Sequence, residues 1–306
     1  MLVTSFAAAL LLQVGPPLVD HHQHFFSPEF AQLVGITPID ADKVIALLDS
    51  AGIRRALVLS VAYSWGNPSR NVENEYEHVK QENDWTAQQV ARFPDRLRAF
   101  CSVNPLRDYA LAELDRCAAN PQLRTGLKLH IGNSAVDYHS PEDLEKLRRV
   151  FHAANAKHMA IVIHMRASIS RNLPYSRTEA EVFLDSILPA APDIPVQIAH
   201  LAGAGGYDST TDAALSVFVD AIGRRDPRAK QLWFDVTTVT RSVTRENAKL
   251  LAMRIRQLGV DRVLFGSDAA AGGNLAPRES WAEFLTLPLT EAEFRTIANN
   301  VAPYMR

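Results

Sequence analysis

From Pro17 onward, short runs rich in β-branched and apolar residues alternate with longer amphipathic stretches, and the alternation repeats eight times. The short runs are Leu18–His24 (LVDHHQH), Arg55–Val61 (RALVLSV), Arg98–Val103 (RAFCSV), Thr125–His130 (TGLKLH), Ala160–Met165 (AIVIHM), Pro195–His200 (PVQIAH), Leu232–Thr237 (LWFDVT) and Arg262–Gly266 (RVLFG). Helical spacing of apolar residues fits Asp40–Ala51, Asn74–Phe93, Tyr109–Ala119, Pro141–Ala156, Glu179–Leu188, Asp212–Ile222 and Arg245–Leu258. Strand followed by helix, repeated, implies parallel strands joined by right-handed crossovers. Several strands are apolar at nearly every position, as strands covered on both faces are.

Eight such units predict a (β/α)8 TIM barrel. A doubly wound open sheet is the rival, but the first strand is not followed by GxGxxG and no GxxxxGK[ST] occurs. From Gly272 on, the chain reads as a loop and two helices without a core of their own, so residues 16–306 are expected to form one domain. Phe6–Val14 (FAAALLLQV) has the length of a signal-peptide core and is too short to span a bilayer. No Lys or Arg precedes Lys43, and no A-x-A site lies between Leu12 and Pro16. Residues 1–15 are thus either a cleaved leader, which places the protein in an exported or periplasmic compartment, or an apolar extension of a cytoplasmic chain.

The charge balance, 32 Lys and Arg against 34 Asp and Glu over 306 residues, is nearly neutral and contains no basic run. It lacks the footprint of a nucleic-acid binder. Cys101 and Cys117 make no disulfide framework or zinc-finger spacing.

The ten histidines become informative through their positions. In a barrel, functional residues sit at the carboxyl ends of the strands. His22 and His24 are one residue apart, so both project to one side of the first strand while His21 and Gln23 face the other. His164 ends the run AIVI, His200 ends VQIA, and Asp268 follows VLFGS. Each alone has an ordinary explanation: a solvated strand end, a satisfied core histidine, or a helix N-cap for Asp268. All five at the same end of strands 1, 5, 6 and 8 point together to a metal. Imidazoles plus a carboxylate suit Zn, with Mn, Fe and Co also accommodated.

With these residues the chain resembles the amidohydrolase superfamily, in the amidohydrolase-related branch that includes aminocarboxymuconate-semialdehyde decarboxylase, related aromatic-acid decarboxylases and lactone hydrolases. The matching pieces are Val19-Asp20-His21-His22-Gln23-His24, Gly126-Leu127-Lys128-Leu129-His130, Ile163-His164, Ala199-His200-Leu201-Ala202-Gly203 and Phe265-Gly266-Ser267-Asp268. The resemblance implies one divalent cation held by His22, His24, His164 and Asp268. His200 then orients or activates water or substrate, and Asp268 also takes a proton from the activated water. It further implies a small-molecule substrate and a homodimer.

Lys128 lies on the strand where some superfamily members carry a carbamylated, metal-bridging lysine; contact with substrate or a salt bridge is the alternative. His130 shares its strand face and is expected on the cavity wall. Arg166, just past His164, is expected to clamp a substrate carboxylate. Tyr63, Trp65, Tyr175 and Arg241 are further candidates for the wall, and Asp235 is expected to support it from behind. The resemblance implies metal-dependent hydrolysis of a small ester, lactone or amide, with nonoxidative decarboxylation of an aromatic or unsaturated acid as the alternative.

Overall fold

The computed structural model describes residues 14–167 and 173–306. Nearly all of the Phe6–Val14 run lies outside the described residues. Eight parallel strands follow one another in chain order around the barrel: β1 (Val19–Gln23), β2 (Arg55–Leu59), β3 (Leu97–Ser102), β4 (Gly126–His130), β5 (Ala160–His164), β6 (Val196–Ile198), β7 (Leu232–Asp235) and β8 (Val263–Leu264). The seam between β8 and β1 is held by two backbone bonds, His21 N–H to Phe265 O at 2.9 Å and Asp268 N–H to His22 O at 2.8 Å. The (β/α)8 barrel expected from the alternation is the fold observed.

Outside the strands run α1 (Pro28–Val34), α2 (Ala41–Ala51), α3 (Glu75–Ala91), α4 (Ala110–Ala119), α5 (Pro141–Ala156), α6 (Arg177–Val182), α7 (Ser209–Gly223), α8 (Arg245–Leu258), α9 (Pro277–Phe284) and α10 (Glu291–Asn299). Their starts carry the residues that satisfy free N–H groups: Ser27, Asp40, Ser140, Asp208, Thr244 and Thr290 each accept a bond from the first turn. α1 was not legible as a periodic segment because it spans only two turns. The helix expected over Glu179–Leu188 begins earlier, at Arg177, and changes to π geometry over Phe183–Ile187. Among the described residues no helix is long and apolar enough to cross a membrane.

Side-chain alternation sorts the core into two layers. Leu57, Leu59, Phe100, Ala160, Val162 and Leu264 pack together inside the barrel. Val58, Cys101, Leu127, Leu129, Ile161 and Ile163 face outward into the helical shell. The floor of the lumen is filled by the carboxyl-terminal segment, where Tyr304 packs edge-on to Phe100 at 5.0 Å between centroids. Arg55 and Arg98, at the amino ends of β2 and β3, bond the carbonyls of Met305 and Tyr304.

The same parity positions the site. Lys128 and His130 continue the inward series of Gly126, and His164 continues that of Ala160 and Val162. On β1 the register shifts between Asp20 and Gln23. That bulge lets Val19 fill the lumen at the floor while His22 and His24 enter the cavity at the top.

Candidate metal centre

A cavity of about 750 Å³ opens at the carboxyl ends of the strands, with His22, His24, Lys128, His130, His164, His200 and Asp268 on its wall. Ligand atoms of His22, His200 and Asp268 lie within 4.8 Å of one another. His24 Nε2 is 3.5 Å from Asp268 Oδ1. The ring of His200 is 4.9 Å from those of both His22 and His164.

Three of the imidazoles are oriented by a bond on the far nitrogen. His22 Nδ1 is 3.1 Å from Asp235 Oδ2, and a carboxylate can only accept, so the proton sits on Nδ1. His24 Nδ1 donates to the carbonyl of Leu59 at 2.6 Å and His200 Nδ1 to that of Thr237 at 3.1 Å. In all three the Nε2 lone pair remains for a cation. His130 is set the other way: its Nδ1 accepts the N–H of Asn133 at 3.1 Å, so its neutral ring carries the proton on Nε2 and is a donor. It stacks on His164 at 3.9 Å with the rings 11° from parallel.

Burial keeps His24, His130, His164 and His200 neutral. It drives His24, His130 and His164 well below the ordinary histidine value, helped respectively by His22, Lys128 and His130, and takes His200 to about 3 with help from His22. Burial alone would raise Asp235, but His22, through its hydrogen bond and its electrostatics, together with His200 and Thr237 outweighs this and holds its carboxyl far below the usual range. Asp235 also accepts from Gln197 Nε2 and the N–H groups of His200 and Thr237. Burial lowers Lys128 to about 8 despite the charges of Asp235 and Asp268. Asp268 is raised to about 6 by burial, with His22 and Lys128 opposing.

Asp268 adopts left-handed backbone at φ 52, as do His200 at φ 53 and Thr238 at φ 55. Asn274 Nδ2 bonds both the carbonyl and Oδ2 of Asp268, while the buried Oδ1 has no hydrogen-bond partner. A buried carboxylate oxygen without a donor, facing imidazole lone pairs, is the environment a divalent cation satisfies. The donor set therefore fits a metal.

A family model described as amidohydrolase matches residues 19–300. The chain belongs to the amidohydrolase family. No curated protein matches this amidohydrolase. Solved structures share its fold at low identity. A 2,6-dihydroxybenzoate decarboxylase from Rhizobium is 18% identical, with 93% of this chain and 96% of that chain covered and a TM-score of 0.64. A probable 2-pyrone-4,6-dicarboxylic acid hydrolase from Acinetobacter baumannii is 17% identical, with coverage of 92% and 96% and a TM-score of 0.60. A dihydroxybenzoic acid decarboxylase from Polaromonas sp. JS666, with bound manganese, is 16% identical, with coverage of 93% and 95% and a TM-score of 0.63.

Not every candidate of the amidohydrolase lies on the cavity. Arg166 pairs with Asp208 at 3.0 Å, on the N-cap of α7, and is not a wall residue. Its guanidinium is engaged by Asp208, which is itself on the cavity wall. Trp65 is stacked on His78 at 4.4 Å, and the Tyr175 hydroxyl is bonded to the carbonyl of Ala202 at 2.6 Å; neither is on the described cavity wall. Tyr63 and Arg241 do line the cavity. Reading the sequence missed Arg70 and Asn274, which line it from irregular segments, and Asn133, which lines it from the single helical turn Ile131–Ser134. No periodicity distinguishes such residues.

Proposed function

We propose that this amidohydrolase uses one divalent cation, Zn or Mn first, to hydrolyse a small ester, lactone or amide. The observation that carries the reading is the meeting of cavity-facing Nε2 lone pairs with the unpartnered Oδ1 of Asp268. His22, His24, His164 and Asp268 would hold the ion, and the closeness of His200 to His22 and Asp268 makes it a further donor to the same centre. When bound, the ion would polarise the scissile carbonyl and make nearby water more acidic.

The remaining work falls to the chain's own groups. Asp268, buried on the cavity wall, is ionised at neutral pH and would be placed to take the proton of the attacking water. His130 presents Nε2–H, and Lys128 an ammonium, to oxygen atoms that gain charge. Asp235 keeps His22 in the tautomer that points its lone pair inward.

Decarboxylation of an aromatic or unsaturated acid is the second reading, favoured by the decarboxylases among the similar folds. One experiment addresses both. Metal-reconstituted protein is offered lactones, esters, amides and aromatic acids, with acid release and carbon dioxide release measured in parallel. Acid release supports hydrolysis, and carbon dioxide release replaces it with the second reading. Less than about half an equivalent of transition metal after reconstitution would sink both.

A further inference from the structure

We propose that the substrate carries a carboxylate that takes no part in the bond change, and that Arg70 is the residue that seats it. The inference rests on the reading of the cavity as an active site. Arg70 follows β2, is half-buried, and lies on the cavity wall. Its Nη1 donates to the carbonyl of Ser64 at 2.9 Å, which fixes the guanidinium and leaves its other N–H groups unused. Burial lowers its pKa, opposed by the Tyr63 phenol and by no carboxylate. An arginine stays protonated even so.

The other cations near the site are compensated or solvated. Arg166 has Asp208, Lys128 feels both Asp235 and Asp268, and Arg241 is exposed and leans on Asn274 Oδ1 at 3.3 Å. Arg70 is the half-buried positive charge of the wall whose counter-charge the described residues do not supply. A charge drawn out of water without a partner is costly, and a ligand carboxylate removes that cost with a forked pair of bonds.

Its surroundings match such a ligand. The buried Tyr63 feels both Asp268 and Arg70, and its ring is 5.1 Å from that of His130. Burial, reinforced by Asp268, pushes its phenol well above the ordinary tyrosine value, so it remains an O–H donor. Asn67 Nδ2 bonds Asn133 Oδ1 at 3.4 Å, pinning the segment after β2 to the turn after β4. Phe26, Phe30, Val34 and Ile36 give the same cavity an apolar wall. A carboxylate on Arg70 with an apolar body leaves the histidine end free for the reacting group.

Phenylacetate and its neutral isostere phenylacetamide test this by calorimetry, on chelator-treated protein so that no metal contributes. Wild-type protein is expected to prefer the carboxylate by at least about ten-fold. Arg70→Gln should abolish the preference and Arg70→Lys retain part of it, with thermal unfolding confirming that the variants are folded. No measurable preference in the wild type, or one that survives Arg70→Gln, overturns the proposal. A preference lost instead in Arg166→Gln or Lys128→Met does so too. An Arg70-dependent preference in a protein that takes up no metal would leave this inference standing and remove the catalytic reading alone.

Discussion

The Nδ1–H of His22 points at Asp235, whereas the Nδ1 lone pair of His130 takes the Asn133 amide, so neighbouring imidazoles present opposite chemistry to one cavity. Asp235→Asn removes the charge that fixes the first arrangement while keeping the shape. Metal affinity should fall about 10–100-fold in competition with a chromogenic chelator; unchanged affinity would remove the orienting role. His130→Phe keeps a flat ring against His164 but deletes the Nε2–H donor. It should leave metal affinity within about three-fold of wild type and lower kcat/KM about 100-fold. Equal kcat/KM would show that the donor contacts no group that gains charge. The inward-facing histidines were readable from strand parity. Their tautomers were not, because the partners Leu59, Thr237 and Asp235 come from other strands and are met only when the barrel closes.

At the scale of elements, the alternation of strand and helix was legible because each strand is buried on both faces and each long helix on one. The ends of β6, β7 and β8 were not: His200, Thr238 and Asp268 turn into left-handed backbone, which no apolar pattern encodes. Two glycines show how closely the strands are fitted. A Cβ on Gly126 would stand 2.3 Å from the Phe100 ring inside the barrel, and one on Gly266 would stand 2.7 Å from His22 Cβ and 2.3 Å from Thr237 Oγ1. Gly126→Ala should therefore cost about 1–3 kcal/mol in urea unfolding through overpacking, with metal affinity kept. Gly266→Ala should cost a similar amount and also weaken metal binding, because its clash falls on a proposed ligand and on the residue whose carbonyl orients His200. Equal metal affinity in the two variants would refute the second effect.

Across the whole molecule, one buried acid links the outer helices to the cavity wall. Glu82 of α3 is 2% exposed and accepts both the N–H and the hydroxyl of Ser27, which caps α1; Phe30 and Val34 of that helix line the cavity. Burial raises its carboxyl from 4.5 to about 7, the two Ser27 bonds opposing and Glu29 adding to the rise. The folded protein then holds this proton at pH values where the unfolded chain has released it. Stability from this group is greatest below the unfolded value and declines as pH rises from 4.5 to about 7, by at most about 3 kcal/mol. Glu82→Gln keeps an oxygen acceptor for Ser27 and cannot ionise. Unfolding in urea at pH 5 and pH 8, with chelator present so that metal contributes nothing, isolates the effect. The variant should gain at least about 1 kcal/mol on wild type between the two pH values. A gap that stays constant, or moves the other way, would mean that Glu82 remains ionised in the fold and that Ser27 is held by a carboxylate charge instead of a shared proton.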